Sequence, residues 1–219
     1  MGFDVTFHPV SKEDLKRFLV DVIEDPKLIG ARLNELSKDE TARRDIRTGI
    51  YDKFPDWLSE FEDGGDVTFE GTFAFAAAAL AGYRHPYWYA RGSAVAFLLE
   101  VAPHLGGFFV PLGRQFKGPI AKLPDYSGGL ISQNYTASGF VEPQRLPDLK
   151  KALAELAANK KLFQVFDEAG FDAVSRAIDY ALPKGLGLME ATDLVVPISN
   201  ETFTEPANMR SHFQNKLEP

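Results

Sequence analysis

Phe3-Asp4-Val5-Thr6-Phe7-His8-Pro9 opens the chain with apolar and polar side chains in alternation. A period of two places Phe3, Val5 and Phe7 on one face of an extended segment and the polar residues on the other. The pattern predicts a half-buried β-strand. The strand is expected to end at Pro9, because proline has no backbone N–H to donate to a neighbouring strand.

An amphipathic helix is predicted directly after this strand. Ser11 is a residue type that caps helix N-termini, and Glu13 and Asp14 place negative charge in the first turn. Apolar residues then recur at the i, i+3, i+4, i+7 and i+8 spacing of one helix face: Leu15, Phe18, Leu19, Val22 and Ile23. Asp25-Pro26 ends the pattern, because proline disfavours the helical conformation of the residue before it.

Two further helices follow from capping signals. Ser37 and Glu40 form a capping-box pattern ahead of a helix over about Lys38–Tyr51, which is polar on most faces and is expected to be exposed. Ser93–Val101 is apolar and predicts a buried helix, with Ser93 as its cap.

Other segments are less regular. Val67–Phe75 alternates in part and favours a strand, and Ala74–Ala81 is alanine-rich and favours a helix. Leu186–Ala191 is expected to be a short helix or coil. Short strands are predicted at Leu130–Tyr135 and Leu194–Ile198.

These patterns predict a single α+β domain with more helix than strand and a small mixed or antiparallel sheet covered by helices. Repeated βαβ units are absent, which argues against a Rossmann or TIM fold. The domain is expected to span residues 1–199, with 141–147 as the best position for a seam between a mixed α/β body and a helical C-terminal part. Residues 200–219 contain few large apolar side chains and predict an extended or partly disordered tail.

Composition excludes several classes of protein. The chain has 219 residues, no cysteine and a formal net charge of −7. Without cysteine there are no disulfides, thiolate metal sites or cysteine nucleophiles, which agrees with a reducing cytoplasm. The acidic balance disfavours nucleic-acid binding. No signal-peptide pattern is present, and no apolar run approaches the roughly 20 residues that span a bilayer, so we expect a cytoplasmic protein that does not bind membranes.

Charge is distributed unevenly along the chain. Acidic residues outnumber basic ones in both flanks, whereas residues 71–140 contain more basic than acidic side chains. The acidic residues of this middle part are Glu100 and Asp125, and its basic residues are Arg84, Arg91, Arg114, Lys117 and Lys122. The middle of the chain therefore has the composition of a core or of a pocket for an anionic or planar group.

The segment Tyr83–Arg91 concentrates three tyrosines, a tryptophan, a histidine and two arginines. Such residues suit a planar or anionic ligand, and they also suit a protein–protein hot spot. The alternative is that the aromatic side chains fill the core and the arginines pair with acidic helices. The candidate binding residues are Arg84, His85, Tyr87, Trp88 and Arg91, with Arg114 and Tyr135 from later in the chain.

Motifs that carry chemistry are missing. The four histidines, His8, His85, His104 and His212, show no metal-ligand spacing. No nucleophile elbow and no phosphate-binding glycine loop is present. Glu190 and Asp193 would share a face if their segment were helical, but this spacing is no signature of a carboxylate pair. No cofactor and no metal is predicted, and whether the chain is an enzyme stays open, with the balance against it.

Three hypotheses for function remain. The leading one is a non-catalytic protein-binding module that uses its acidic surface and the Tyr83–Arg91 segment, with an immunity or antitoxin-like role against a basic protein as one concrete version. The second is an enzyme or small-molecule binder in which the arginines hold an anionic substrate and His85 is the acid or base. The third is a structural subunit of a homo-oligomer, connected through the C-terminal tail.

Overall fold

A computed structural model describes the backbone of residues 4–55, 68–110, 113–117, 137–160, 166–192 and 203–204. It describes the side chains of the same residues except 68–75, 114, 137–138 and 203–204. The first helix, α1, covers 12–24. The remaining helices longer than two turns in this part of the chain are α2 (Ile29–Leu36), α3 (Glu40–Gly49), α4 (Thr68–Arg84), α5 (Leu146–Ala158) and α6 (Glu168–Ala181). Short 3-10 helices connect them, including Val95–Glu100 and Pro103–Phe108.

The strands form one antiparallel sheet. They are β1 (Asp4–Val10), β2 (Tyr87–Arg91), β3 (Phe109–Val110), β4 (Ala137–Val141), β5 (Gly187–Thr192) and β6 (Phe203–Thr204). Their spatial order is β3-β4-β5-β1-β2-β6, so β1 has a partner on each side. In the register of these two pairings, Phe7 lies opposite Trp88 of β2 and Glu190 of β5.

Both faces of this sheet are covered, which differs from the half-buried strand that the opening sequence predicts. Thr6, His8 and Val10 lie on the first face, which α1 and α4 cover, and Val5 and Phe7 lie on the second face, which α6 covers. All five side chains are at most 1% exposed. The polar half of the alternation is therefore as deeply buried as the apolar half.

Helix α1 begins as the sequence predicts. The Ser11 hydroxyl accepts a hydrogen bond from the Asp14 backbone N–H, which satisfies one of the free donors of the first turn. The middle of the helix differs from an ordinary α-helix, since Lys16–Val20 forms a π-helical turn. In this widened turn the three consecutive side chains of Phe18, Leu19 and Val20 are all buried.

Two predicted helix caps are wrong. Asp39, and not Ser37, caps α3, and its carboxylate accepts from the Ala42 backbone N–H. Ser37 is instead the residue that ends α2. Ser93 does not cap the following helix, which is a 3-10 helix that begins after Ala94. The Ser93 hydroxyl donates to the Asp167 carboxylate at 3.1 Å.

Two predicted element types are also wrong. The part of Val67–Phe75 that the structure describes belongs to α4, because the alanine-rich run that follows extends one helix back to Thr68. Leu186–Ala191, expected as helix or coil, lies almost entirely in β5, where every residue is buried. The strands predicted at Leu130–Tyr135 and Leu194–Ile198 lie outside the described residues.

The fold class is confirmed: the chain is an α+β domain with more helix than strand and an antiparallel sheet between helices. The seam at 141–147 stays a prediction. Of the C-terminal tail, the structure describes Phe203–Thr204, which pairs with β2. In the described part of the chain no helix is long and apolar enough to cross a membrane.

Gly187, the first residue of β5, lies directly beneath an aromatic ring. A Cβ atom at this position would approach the Cζ atom of Phe140 to 2.2 Å and the carbonyl oxygen of Val141 to 2.6 Å. Phe140 is only 2% exposed, so its ring has little room to move. The small residue is therefore required by the packing of β4 against β5.

Gly187→Ala is expected to lower the free energy of unfolding by about 1–3 kcal/mol, the usual range for overpacking a filled core. Gly49→Ala is the matched control, since a Cβ at Gly49 meets no atom within 4 Å. Urea denaturation of both variants measures the effect. Equal stability of the two variants would show that the Phe140 ring moves aside at no cost.

Candidate functional site

The Tyr83–Arg91 segment spans the end of α4 and all of β2. Tyr87 and Trp88 are 0% and 7% exposed, and they occupy different hydrophobic clusters on opposite faces of the sheet. Tyr87 stacks on the His8 ring at a centroid distance of 4.7 Å, and Trp88 packs against Tyr180 at 5.6 Å. These two aromatic side chains are core residues and cannot belong to one binding surface.

Arg84 and His85 form a separate cluster with Asp14 at the surface. Arg84 Nε donates to Asp14 Oδ2 at 3.1 Å, and His85 Nε2 lies 3.9 Å from the same oxygen. Burial lowers the pKa of the His85 imidazole, and the charge of Asp14 opposes this effect. The cavity that the three side chains border has a volume of about 10 Å³, close to that of one water-sized probe sphere. It has no room for an organic ligand.

The other candidate residues lie apart from this cluster or outside the described side chains. Arg91 is exposed at the end of β2, where it pairs in register with Asp4. Arg114 lies in the short 3-10 helix Gly113–Gln115, and its side chain is outside the described part. Tyr135 is also outside it. A binding role for Arg114 and Tyr135 therefore stays a prediction.

Glu190 carries a structural role that the sequence did not indicate. It lies on β5, so its segment is a strand and not the helix on which it would share a face with Asp193, and Asp193 itself is outside the described residues. Its carboxylate accepts the backbone N–H groups of Val95 and Ala96 at 2.8 and 3.0 Å. These are the first donors of the 3-10 helix Val95–Glu100, so Glu190 caps it in place of a side chain that Ala94 lacks.

Two buried titratable groups respond to pH in opposite directions. Burial raises the pKa of the Glu190 carboxyl to about 7, although its two N–H donors favour the charged form. Burial lowers the pKa of the His8 imidazole to about 3. The His8 ring is held by its Nε2 atom, 2.9 Å from the Thr6 hydroxyl oxygen. Both groups lie inside the fold, where Nδ1 of His8 has no hydrogen-bond partner among the described residues.

A groove between α2 and α3 offers a better candidate site. Its volume is about 510 Å³, which is in the range of small-molecule pockets. Leu33 and Asn34 of α2 form one wall. The other wall comes from α3 and carries Glu40, Thr41, Arg43, Arg44 and Arg47. We refer to this site as the arginine groove.

Two of its three guanidinium groups, those of Arg43 and Arg47, donate hydrogen bonds to acceptors of the protein. Arg43 Nη1 donates to the backbone carbonyls of Ser37 and Lys38 at 3.3 and 2.8 Å. Arg47 Nε donates to the Asp52 carboxylate at 3.3 Å. A guanidinium has five N–H donors, so one anchored nitrogen leaves several for a ligand. In the described part of the chain these groups make no other hydrogen bond.

Arg44 faces a carboxylate by charge and not through a hydrogen bond. Its Nε atom lies 3.7 Å from Oδ1 of Asp45, whose side chain is completely buried while that of Arg44 is 68% exposed. Within the described residues neither oxygen of Asp45 accepts a hydrogen bond. A buried carboxylate beneath an exposed guanidinium holds the cation by charge and leaves its donors facing solvent.

The arginines of this groove are visible in the sequence, where they predict a polar and exposed helix and not a binding site. Arg43, Arg44 and Arg47 have spacings of one, three and four residues, and the last two of these place side chains on one helix face. The helix is exposed at Glu40, Arg44 and Arg47, as its polarity predicts, but Asp45 is buried. The missing information was the position of α2, which turns an exposed face into one wall of a groove.

Comparisons with known proteins return no matching family, no matching curated protein and no matching solved structure. Among the described residues, no group of three or more histidine, aspartate or glutamate side chains is arranged to hold a metal ion. The absence of a metal or cofactor stays a prediction. The geometry of the arginine groove is thus the strongest direct observation that bears on function.

Glu190→Gln is expected to change how stability depends on pH. The unfolded carboxyl loses its proton near pH 4.5 and the folded one near pH 7, so the stability that this group contributes is lost as pH rises between these values. Relative to the variant, the wild type should lose roughly 3 kcal/mol between pH 5 and pH 8.

Urea denaturation across this pH range measures the difference. Glu100→Gln is the matched control, because Glu100 ends the same 3-10 helix and is exposed. Its stability curve should run parallel to that of the wild type. If the Glu190→Gln curve is parallel as well, the carboxyl does not titrate differently in the folded state.

Proposed function

We propose that this chain is a binding protein for a small phosphorylated molecule, which it holds in the arginine groove. One observation carries the proposal: three guanidinium groups line a cavity of ligand size, and the protein holds two of them by hydrogen bonds and faces the third with a buried carboxylate. Anchoring reduces the conformational entropy that a side chain loses when it binds, so the groove is organised before a ligand arrives.

The charge of the groove lining suits an anionic group. The lining residues carry a formal charge of +2, since Glu40 offsets one of the three arginines, while Asp45 and Asp52 lie outside the lining and face Arg44 and Arg47. A phosphate monoester carries close to two negative charges at neutral pH. The planar fork of arginine matches the oxygens of a phosphoryl group, which accept paired hydrogen bonds from it.

The neutral lining residues suggest the rest of the ligand. The Asn34 amide and the Thr41 hydroxyl both donate and accept hydrogen bonds, and Glu40 accepts them. Leu33 adds an apolar contact. A hydroxyl-bearing molecule such as a sugar phosphate can use all of these groups. The proposal assigns no catalytic residue.

The protein-binding hypothesis no longer includes Tyr87 and Trp88 as contact residues. Tyr87 and Trp88 are core residues, so they are not offered to a partner. Exposed carboxylates remain on α6 at Glu168, Asp172 and Asp179, although the last two already form ion pairs with Arg176 and Lys150. Recognition of a basic protein at this helix stays a proposal, as does a homo-oligomer joined by the tail.

Replacing two of the arginines tests the arginine groove. Arg44→Gln/Arg47→Gln is expected to weaken binding of glucose 6-phosphate at least tenfold, because each change removes donors to the phosphoryl oxygens, and tenfold corresponds to about 1.4 kcal/mol. Arg43 is kept because its guanidinium also fixes the turn between α2 and α3. Isothermal titration calorimetry gives the dissociation constants.

Arg145→Gln/Arg176→Gln is the matched control, with the same change in charge at exposed arginines outside the groove. It should bind as the wild type does. Glucose, which lacks the phosphoryl group, should not bind measurably. Equal loss of affinity in both double variants would show that binding depends on the net charge of the protein and not on the groove. No binding of glucose 6-phosphate, or equal binding of glucose, would contradict the proposal.

A further inference from the structure

A second groove lies between α1 and the residues around the 3-10 helix Gly113–Gln115. Its volume is about 520 Å³. Val20 of α1 and Phe116 form its apolar floor, and both side chains belong to the hydrophobic cluster on the first face of the sheet. Its rim carries Lys12, Lys16 and Lys117. We refer to it as the lysine groove.

The two sides of this groove are tied together. Lys12 Nζ donates to the side-chain oxygen of Gln115 at 3.2 Å, across more than 100 residues of sequence. Lys16 is held differently, by an ion pair with Asp21 of its own helix. Lys117 is exposed and makes no ion pair with any residue in the described part of the chain.

The π-helical turn of α1 forms the wall of the groove. Lys16 and Val20 are the first and last residues of that turn, and both line the cavity. π-Helical turns are rare and occur frequently at functional sites. Here the turn brings an ammonium group on the rim and an apolar side chain on the floor to the same opening.

We propose that the lysine groove binds a free small carboxylate with an apolar tail. The tail would lie on Val20 and Phe116, and the carboxylate would be held by Lys16 and Lys117. Glu13 and Glu24 also line the groove, so its lining residues carry a formal charge of +1, and Asp21, which pairs with Lys16, lies outside the lining. A lysine ammonium group is a compact charge that can donate hydrogen bonds to a carboxylate in many orientations.

This proposal does not rest on the arginine groove, which lies between α2 and α3 and calls for a dianion. The two sites share no lining residue. They can therefore be tested separately in the same protein.

Titration with octanoate tests the lysine groove. The wild type is expected to bind octanoate and not octylammonium, which has the same tail and the opposite charge. Lys16→Gln/Lys117→Gln should weaken octanoate binding at least tenfold. Lys150→Gln/Lys151→Gln, at two exposed lysines of α5, is the matched control and should stay within twofold of the wild type.

Two further measurements separate the parts of the proposal. Acetate, which has the charge without the tail, should bind at least tenfold more weakly than octanoate. Arg44→Gln/Arg47→Gln should leave octanoate binding unchanged, so failure at one groove is distinguished from failure at the other. Vesicles of phosphatidylserine and phosphatidylcholine should not capture the wild type.

Several results would overturn the proposal. These are the absence of octanoate binding below its micellar concentration, equal affinity for octylammonium, or equal loss of affinity in the lysine double variant and its control. Capture by phosphatidylserine vesicles that depends on Lys16 and Lys117 would assign the surface to a membrane instead of a free ligand.

Discussion

β1 is buried on both faces of the sheet, and the positions of the helices and of the neighbouring strands follow from this burial. From Val5 to Val10 no residue of the strand is exposed. Helices must therefore cover two faces, which explains why a chain with a short antiparallel sheet contains so much helix. Neighbouring strands supply the large side chains that fill the space, and β2 supplies Tyr87 to one face and Trp88 to the other. Tyr87 and Trp88 are thus part of the core.

The same burial places two titratable groups in the interior with opposite consequences. His8 lies on the first face of the sheet and Glu190 on the second, and each is expected to be neutral over part of the pH range in which it would be charged in water. Between about pH 4.5 and 6.5, the burial of Glu190 makes stability fall as pH rises and the burial of His8 makes it rise. The two effects offset each other, so the folded protein is less sensitive to pH than either group alone would make it.

The sequence predicts local structure well where the pattern is periodic. β1, α1 and the Ser11 cap follow from spacing alone, because period and capping chemistry act within a few residues. The pattern is misleading where tertiary contacts decide. Leu186–Ala191 has no alternation of polar and apolar residues, as is usual for a strand such as β5 that is buried on both faces. β1 is also buried on both faces but keeps its alternation, because Thr6 and His8 are buried polar residues. Val67–Phe75 alternates in part, yet its described residues belong to a helix.

The candidate site was less accessible to prediction. Composition draws attention to Tyr83–Arg91, but aromatic residues serve a core as well as they serve a pocket, and only the fold separates the two roles. Arg43, Arg44 and Arg47 look like an ordinary solvated helix face until α2 is placed beside them. Their anchors could not be inferred either, because the carbonyl groups of Ser37 and Lys38 become acceptors only through the geometry of the turn.

Tyr87 and Trp88 belong to the core, and we propose that ligand binding belongs to the helices of the first third of the chain. An amide-resolved NMR titration of the ¹⁵N-labelled protein with glucose 6-phosphate separates these two regions. Saturable shifts are expected at Asn34, Thr41, Arg43, Arg44 and Arg47, with Tyr83–Arg91 unchanged. Saturable shifts centred on Tyr83–Arg91, or none at all, would contradict the proposal.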